Sequence, residues 1–153
     1  MREFDELTRQ IVEIIRKEII NTLSYLGEQC NVRIRDRSAS ESWIDHTGNL
    51  RSSIGYSVFE HGRSVITSTF ESVLGGSTGS ANGKSYVESL ASQFSNVYAL
   101  VVVAGMSYAD YVESIESKDV LASTETWTRS VIDRYMDMAK EKAIKKINKL
   151  LAK

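Results

Sequence analysis

Two histidines, one cysteine and a surplus of serine are the side chains of this sequence from which catalysis could be built. Asp45-His46 and His61 offer a base and an orienting acid, and 21 serines offer nucleophiles, the ingredients of acyl transfer. The spacing argues against that chemistry. Neighbours in sequence such as Asp45 and His46 point apart, no Gly-x-Ser-x-Gly elbow occurs, and a serine-rich chain meets a histidine by chance. Cys30 with His46 fares no better, because the periodicity puts Cys30 just after a helix C-terminus, whose dipole raises a thiol pKa. A polar turn and an incidental cysteine are the expected readings.

Phosphate and metal chemistry fail on spacing too. Gly83-Lys84-Ser85 has the ending of a phosphate-binding loop, but the first glycine would have to be residue 78, which is threonine. Two histidines and one cysteine form no ligand pattern, and a lone cysteine forms neither an internal disulfide nor a cysteine zinc site. Asp110, Glu113, Glu116 and Asp119 recur at three-residue steps, which smears an acidic edge along a helix. No cofactor or metal is expected. The run Lys140-Glu141-Lys142-Ala143-Ile144-Lys145-Lys146-Ile147-Asn148-Lys149 has the charge to touch DNA or lipid. It lacks arginine and interleaved aromatics, so a solvated helix end, or contact with an acidic protein neighbour, fits it better.

The elements that must position these residues follow from periodicity. Phe4, Leu7, Ile11, Ile14, Ile15, Ile19, Leu23 and Leu26 recur at three- and four-residue steps, which predicts a long helix over 2–27 ending at Gly27. Trp127, Val131, Tyr135, Met138, Ile147 and Leu151 predict a second helix over 124–151, capped by Ser123 or Thr124, with fraying or a bend near Lys142. Between them, sheet and loops are expected over 32–120. Thr47–Ile54 reads as a polar turn and short helix. Tyr56–Phe59 and Ser64–Phe70, separated by Glu60-His61-Gly62-Arg63, read as a hairpin. Val97–Ala104 is nearly continuous in apolar residues and is expected at the centre of its sheet. Gly75–Lys84 carries four glycines and no large apolar side chain, which predicts a mobile loop. Ser85–Phe94 predicts a short helix with Val87, Leu90, Ala91 and Phe94 on one face.

These elements make one α+β domain spanning 1–153, a small antiparallel sheet packed with long terminal helices. At 153 residues the chain can bury a sizeable core, and its longest apolar run is too short to cross a membrane. Its first residues, Met-Arg-Glu-Phe-Asp-Glu, carry acids where a signal peptide needs a basic and then an apolar stretch, so no secretory leader is expected. The net charge of −1 is a cancellation: residues 38–120 carry four basic and nine acidic side chains, and residues 121–153 carry eight basic and four acidic. That split suits contact between copies more than it suits attraction to nucleic acid or lipid.

Two segments in order carry a family resemblance: Thr47-Gly48-Asn49-Leu50-Arg51-Ser52-Ser53-Ile54 ahead of the hairpin, and Tyr108-Ala109-Asp110-Tyr111-Val112-Glu113 after the Val97–Gly105 strand. Together with the flanking helices, they resemble the tail-completion, or neck, proteins that join head to tail in long-tailed bacteriophages. The resemblance spans about residues 1–151. It implies a non-enzymatic virion protein, made in the host cytoplasm, that assembles as a cyclic homo-oligomer. The implied partners are a portal-side connector and the tail tube or its terminator. It also implies no membrane and no sequence-specific nucleic acid, although contact with DNA lining a channel is compatible. Thr47, Gly48, Asn49, Leu50 and Arg51, with Tyr108, Ala109, Tyr111, Val112 and Glu113, are the motif positions. Ser77, Asn82 and Lys84 are the loop positions expected to meet a neighbour. The alternatives are a tail-terminator ring capping the tube, a small hydrolase built on Asp45 with His46 or His61, and a lysine-driven DNA-binding module.

Overall fold

The computed structural model describes residues 2–35, 52–70, 72, 76–105 and 121–153. The motif positions Thr47–Arg51 and Tyr108–Glu113 lie outside the described residues. So do His46, Asp45 and the acidic steps from Asp110 to Asp119.

The described chain is α+β. Helix α1 (Arg2–Arg35) is followed by strands β1 (Ile54–Glu60) and β2 (Arg63–Thr67) and helix α2 (Ser77–Ser89). A 3-10 turn (Ala91–Phe94), strand β3 (Tyr98–Ala104) and helix α3 (Ala122–Leu151) complete it. The sheet is antiparallel in the order β2-β1-β3. Register runs Ser57↔Thr67 and Val58↔Ile66 on one side of β1 and Ile54↔Ala104 to Glu60↔Tyr98 on the other. A two-residue turn closes the hairpin, with φ 50° at His61 and 84° at Gly62, the conformation that matches strand twist. Between Val58 and Phe59 the register shifts by one residue, a bulge that leaves Val65 of β2 without a partner position on β1.

Side chains alternate across the sheet, so β1 feeds two cores. Tyr56 and Val58 pack with Ile20 and Leu23 of α1, and Ile54 packs with Cys30 and Ile34. On the opposite face Phe59 joins Phe70, Val87 and Val103, with Leu90, Ala91 and Phe94 against them, the face expected for Ser85–Phe94. The layers are therefore a helix pair, a sheet, and α2 with its 3-10 turn.

Five expectations change. Among the described residues β1, not the Val97–Ala104 strand, is central; β3 is continuous in apolar residues because both of its faces meet helices, while its outer edge pairs with no described strand. Helix α1 runs through Gly27 to Arg35. This glycine does not stop the helix: a Cβ there would lie 2.5 Å from Tyr56 Cδ2, so it lets the aromatic ring lie flat on the backbone. Helix α3 starts at Ala122 with Leu121 as its cap residue and no side-chain capping bond, so Ser123 and Thr124 lie inside its first turn. It continues unbroken past Lys142, because Ala139 and Ala143 are buried in the seam with α1 where no large apolar residue is needed.

The largest change is Gly75–Lys84. Residues 77–84 are helical, the first turns of α2. Gly79, Gly83 and Val87 are its buried residues, spaced four apart on one face. A Cβ on Gly83 would meet the Ser53 carbonyl oxygen at 2.4 Å and Phe70 Cδ1 at 2.7 Å. Gly83 is there for close approach of backbone to backbone, not for flexibility.

Polar ties fix α1 to the sheet. Tyr56, buried against Gly27, donates from its hydroxyl to Glu28 Oε1 at 2.6 Å; burial and this carboxylate push its pKa up to about 12. Arg16 Nε donates to Glu60 Oε2 at 2.6 Å, and the Tyr98 hydroxyl donates to the same oxygen at 2.9 Å. The Arg16 hydrogen bond outweighs desolvation and, with Tyr98 adding, holds the Glu60 carboxyl below the usual range.

Two outcomes follow. Gly83→Ala would gain up to ~1 kcal/mol of helix propensity in an exposed helix. Here it should lose ~1–3 kcal/mol through overpacking, read as a lower thermal midpoint. A neutral or stabilised variant would mean that α2 does not seat on Ser53. Separately, a carboxylate with a depressed pKa contributes stability above its unfolded value of ~4.3 and loses it as pH falls through its folded value. Glu60→Gln should therefore be less stable than the native chain at neutral pH, and the gap should close on acidification below pH ~4.3.

Candidate interaction surface

Helices α1 and α3 run antiparallel, as their paired residues show: Glu18 with Lys146, Tyr25 with Tyr135, Cys30 with Thr128 and Arg33 with Trp127. The sheet takes Ile20 and Leu23 of α1 on one side. Residues Glu18, Thr22 and Tyr25 lie roughly half a helical turn away, on the side turned from the sheet.

There a groove of about 560 Å³ opens between the two helices, lined by Glu18, Tyr25, Tyr135, Met138, Ala139 and Lys142 among others. Its floor is aromatic and thioether: the Tyr25 and Tyr135 rings lie 5.7 Å apart, tilted, and Tyr25 and Met138 remain 50% and 45% exposed. The Arg134 guanidinium stands 5.6 Å over the Tyr135 ring. At one end Lys146 donates to Glu18, whose carboxylate is buried in the helix seam. The neighbouring Lys142, Lys145 and Lys149 are exposed along the rim. An apolar floor with a basic rim accepts an amphipathic segment carrying acids.

The sequence-predicted positions are not part of this surface. Ser77, Asn82 and Lys84 are exposed residues of α2, on the far side of the sheet from the helix pair. Ser77 and Lys84 share a face of the helix, Asn82 lies on another, and none of the three lines the groove. His61 is an exposed turn residue with its ring 5.3 Å from that of Tyr98. Cys30 is buried within α1 rather than after its end, and burial pushes its thiol up. The thiol lies 3.2 Å from Thr128 Oγ1, whose own hydroxyl donates to the Thr124 carbonyl at 2.8 Å, which leaves the thiol as donor. Serines are hydrogen-bonded to one another as well: Ser57 Oγ is 2.6 Å from Ser64 Oγ and 3.1 Å from Thr67 Oγ1, and donates to the Ile66 carbonyl at 2.8 Å. Among the described residues no group of three or more histidine, cysteine or acidic side chains could hold a metal, and no helix is long and apolar enough to cross a membrane.

Sequence reasoning identified the basic C-terminal third but not the groove. The one local signal is Glu18, a charge set into the apolar run Ile14, Ile15, Ile19 and Ile20, where a buried partner has to be found. Comparison of the chain with protein-family models, with curated proteins and with solved structures found no match.

The Glu18–Lys146 pair tests the register of the two helices. Lys146→Ala leaves a buried carboxylate without its cation and should cost ~1–3 kcal/mol in urea unfolding. Replacing both partners with apolar residues of similar volume, Glu18→Leu with Lys146→Met, should recover most of that loss. Equal losses in the single and double variants would show that the pair does not set the register.

Proposed function

We propose that this chain is a non-enzymatic structural subunit of a long-tailed bacteriophage virion. It forms a ring in the neck and joins the portal side of the head to the tail, as a tail-completion adaptor. The observation that carries the reading is the architecture: a small antiparallel sheet packed against two long terminal helices, the arrangement implied by the resemblance of Thr47–Ile54 and Tyr108–Glu113 to that family. Two further features support it. Among the described residues, the Cys30 thiol is paired with Thr128 and the Ser57 hydroxyl with Ser64 rather than with a base. The helix pair also presents a groove of the kind that takes a protein segment.

On this reading the acidic excess of residues 38–120 and the basic excess of residues 121–153 suit contact between copies that closes a ring. The tail tube and the portal-side connector are then the partners above and below the ring, and the lysine-rich end of α3 needs no nucleic-acid sequence to act.

Mass spectrometry and imaging of purified tailed particles provide the test. The chain should be a stoichiometric particle component, with its density between portal and tube. Absence from particles removes the reading. Density capping the tube, away from the portal connector, assigns the chain to the tail-terminator class instead.

A further inference from the structure

Helix α1 is longer than the fold uses. Tyr25 meets Tyr135, and α3 ends at Leu151, sixteen residues on. In an antiparallel pair the end of α3 therefore lies level with about residue 9 of α1. The first two turns of α1 run past the end of their partner helix, a projection of roughly 10 Å. The sheet is met only further along, where Arg16 meets Glu60. On this arm Phe4 is 70% exposed, an aromatic side chain with no core to enter. Around it stand Glu3, Asp5 and Glu6 against Arg2, a net charge of −2. Glu6 pairs with Arg9 at 3.0 Å, but both side chains are more than half exposed, so that bridge does not hold them from another partner.

The same chain carries the complement. The groove of α1 and α3 offers Tyr25, Tyr135 and Met138 as an unfilled apolar floor. Lys142 and Lys146 line it, with Lys145 and Lys149 exposed on the helix beyond. Of these, Lys146 is engaged by Glu18. The arm cannot fill its own groove. Phe4 and Tyr25 sit on one continuous helix, about 30 Å apart along its axis. The occupant has to come from another molecule.

We propose that the N-terminal arm of one copy docks in the α1–α3 groove of the next, with Phe4 seated against Tyr25, Tyr135 and Met138, and the flanking Glu3 and Asp5 facing Lys142 and Lys145. Aromatic and thioether groups suit a phenyl ring, and opposite charge along the two strips sets the direction. Arm and groove are different patches, so the contact is heterologous and propagates from copy to copy. It supplies the subunit contact of the proposed ring. It rests on that reading for closure of the ring, but the contact itself rests on the arm and the groove alone.

Disulfide trapping tests it on the full-length chain. One preparation carries Thr8→Cys, one turn from Phe4, a second Asn21→Cys in the groove lining, and a control Ser92→Cys on the far layer; the native Cys30 is buried. Mixing the first two under mild oxidation should give a mixed-disulfide dimer at least about tenfold faster than mixing the first with the control, the margin expected of an aromatic anchor, and adding Phe4→Ala to the first should remove most of that margin. Adding Lys142→Glu to the groove partner should slow trapping, and adding Glu3→Lys to the arm partner as well should restore part of it. A rate equal to the control overturns the proposal. So does trapping of Thr8→Cys copies with each other as fast as with the groove variant, since the contact would then be arm to arm. The helical circular dichroism and thermal midpoint of Thr8→Cys should match the native chain, because the arm lies outside the core. Trapping in a chain absent from phage particles keeps this contact and removes the neck reading; failure of trapping in a chain present in particles does the reverse.

Discussion

Strand β1 has no solvent face, and that single constraint organises the rest of the molecule. Six of its seven residues are buried, so it needs an apolar layer on each side as well as a hydrogen-bonded strand on each edge. Helix α1 covers Ile54, Tyr56 and Val58; α2 and its 3-10 turn, with Phe70, cover Gly55 and Phe59. A helix can lie that close to a strand carrying tyrosine and phenylalanine only if something small faces the large residue. Gly27 under the Tyr56 ring and Gly83 against Ser53 and Phe70 meet that need. The sheet is thin, three strands, yet it is buried like the middle of a larger one.

A strand buried on both faces also accounts for the serines. Ser57 is on β1 and fully buried, where an unpaired hydroxyl would cost ~1–3 kcal/mol. It is instead bonded to Ser64, Thr67 and the Ile66 carbonyl, a network that pins β2 to β1 on either side of the bulge. Ser68 extends the ladder in the same way, its hydroxyl accepting from the Tyr56 amide at 2.9 Å while its own amide donates to the Tyr56 carbonyl. Hydroxyls used in this manner are spent on strand pairing. Ser57, Ser64 and Ser68 are committed to the sheet in this way.

The two helices, the hairpin and the third strand were legible because each depends on a local pattern: three- and four-residue steps in α1 and α3, and His61-Gly62 between two β-rich runs. What was not legible depends on who lies opposite. A continuous apolar strand and a central strand look alike in sequence, and only the order of pairing separates Val97–Ala104 from Ile54–Glu60. Glycine signals flexibility or close approach according to the atom that faces it. Gly79 and Gly83 four apart, in step with Val87, was the available sign that Gly75–Lys84 contained a helix with a packed face. Ala139 and Ala143 hid the continuity of α3 for the same reason, being too small to count in an apolar stripe. The candidate surface was legible only as charge. The basic end of α3 stood out in composition, while the groove is made by residues more than a hundred positions apart, such as Tyr25 and Tyr135, whose meeting no local pattern announces.

The length of α1 ties the fold to assembly. Covering β1 requires α1 from about Arg16 to Arg35, the stretch from the Glu60 ion pair to the last buried contact at Ile34. The turns before Arg16 add little burial, and a helical segment of that length is marginal when isolated. It is helical here because it propagates from a packed helix, which removes the cost of nucleation, and because Glu3 and Asp5 sit where the dipole favours acids. A surface extension under no further demand has no use for Phe4, since an exposed aromatic ring promotes unwanted association. The same stretch with a polar residue there would propagate equally well. Its presence, matched by an equally unfilled aromatic groove of opposite charge on the same chain, is accounted for if the surface each leaves exposed is the surface the other covers.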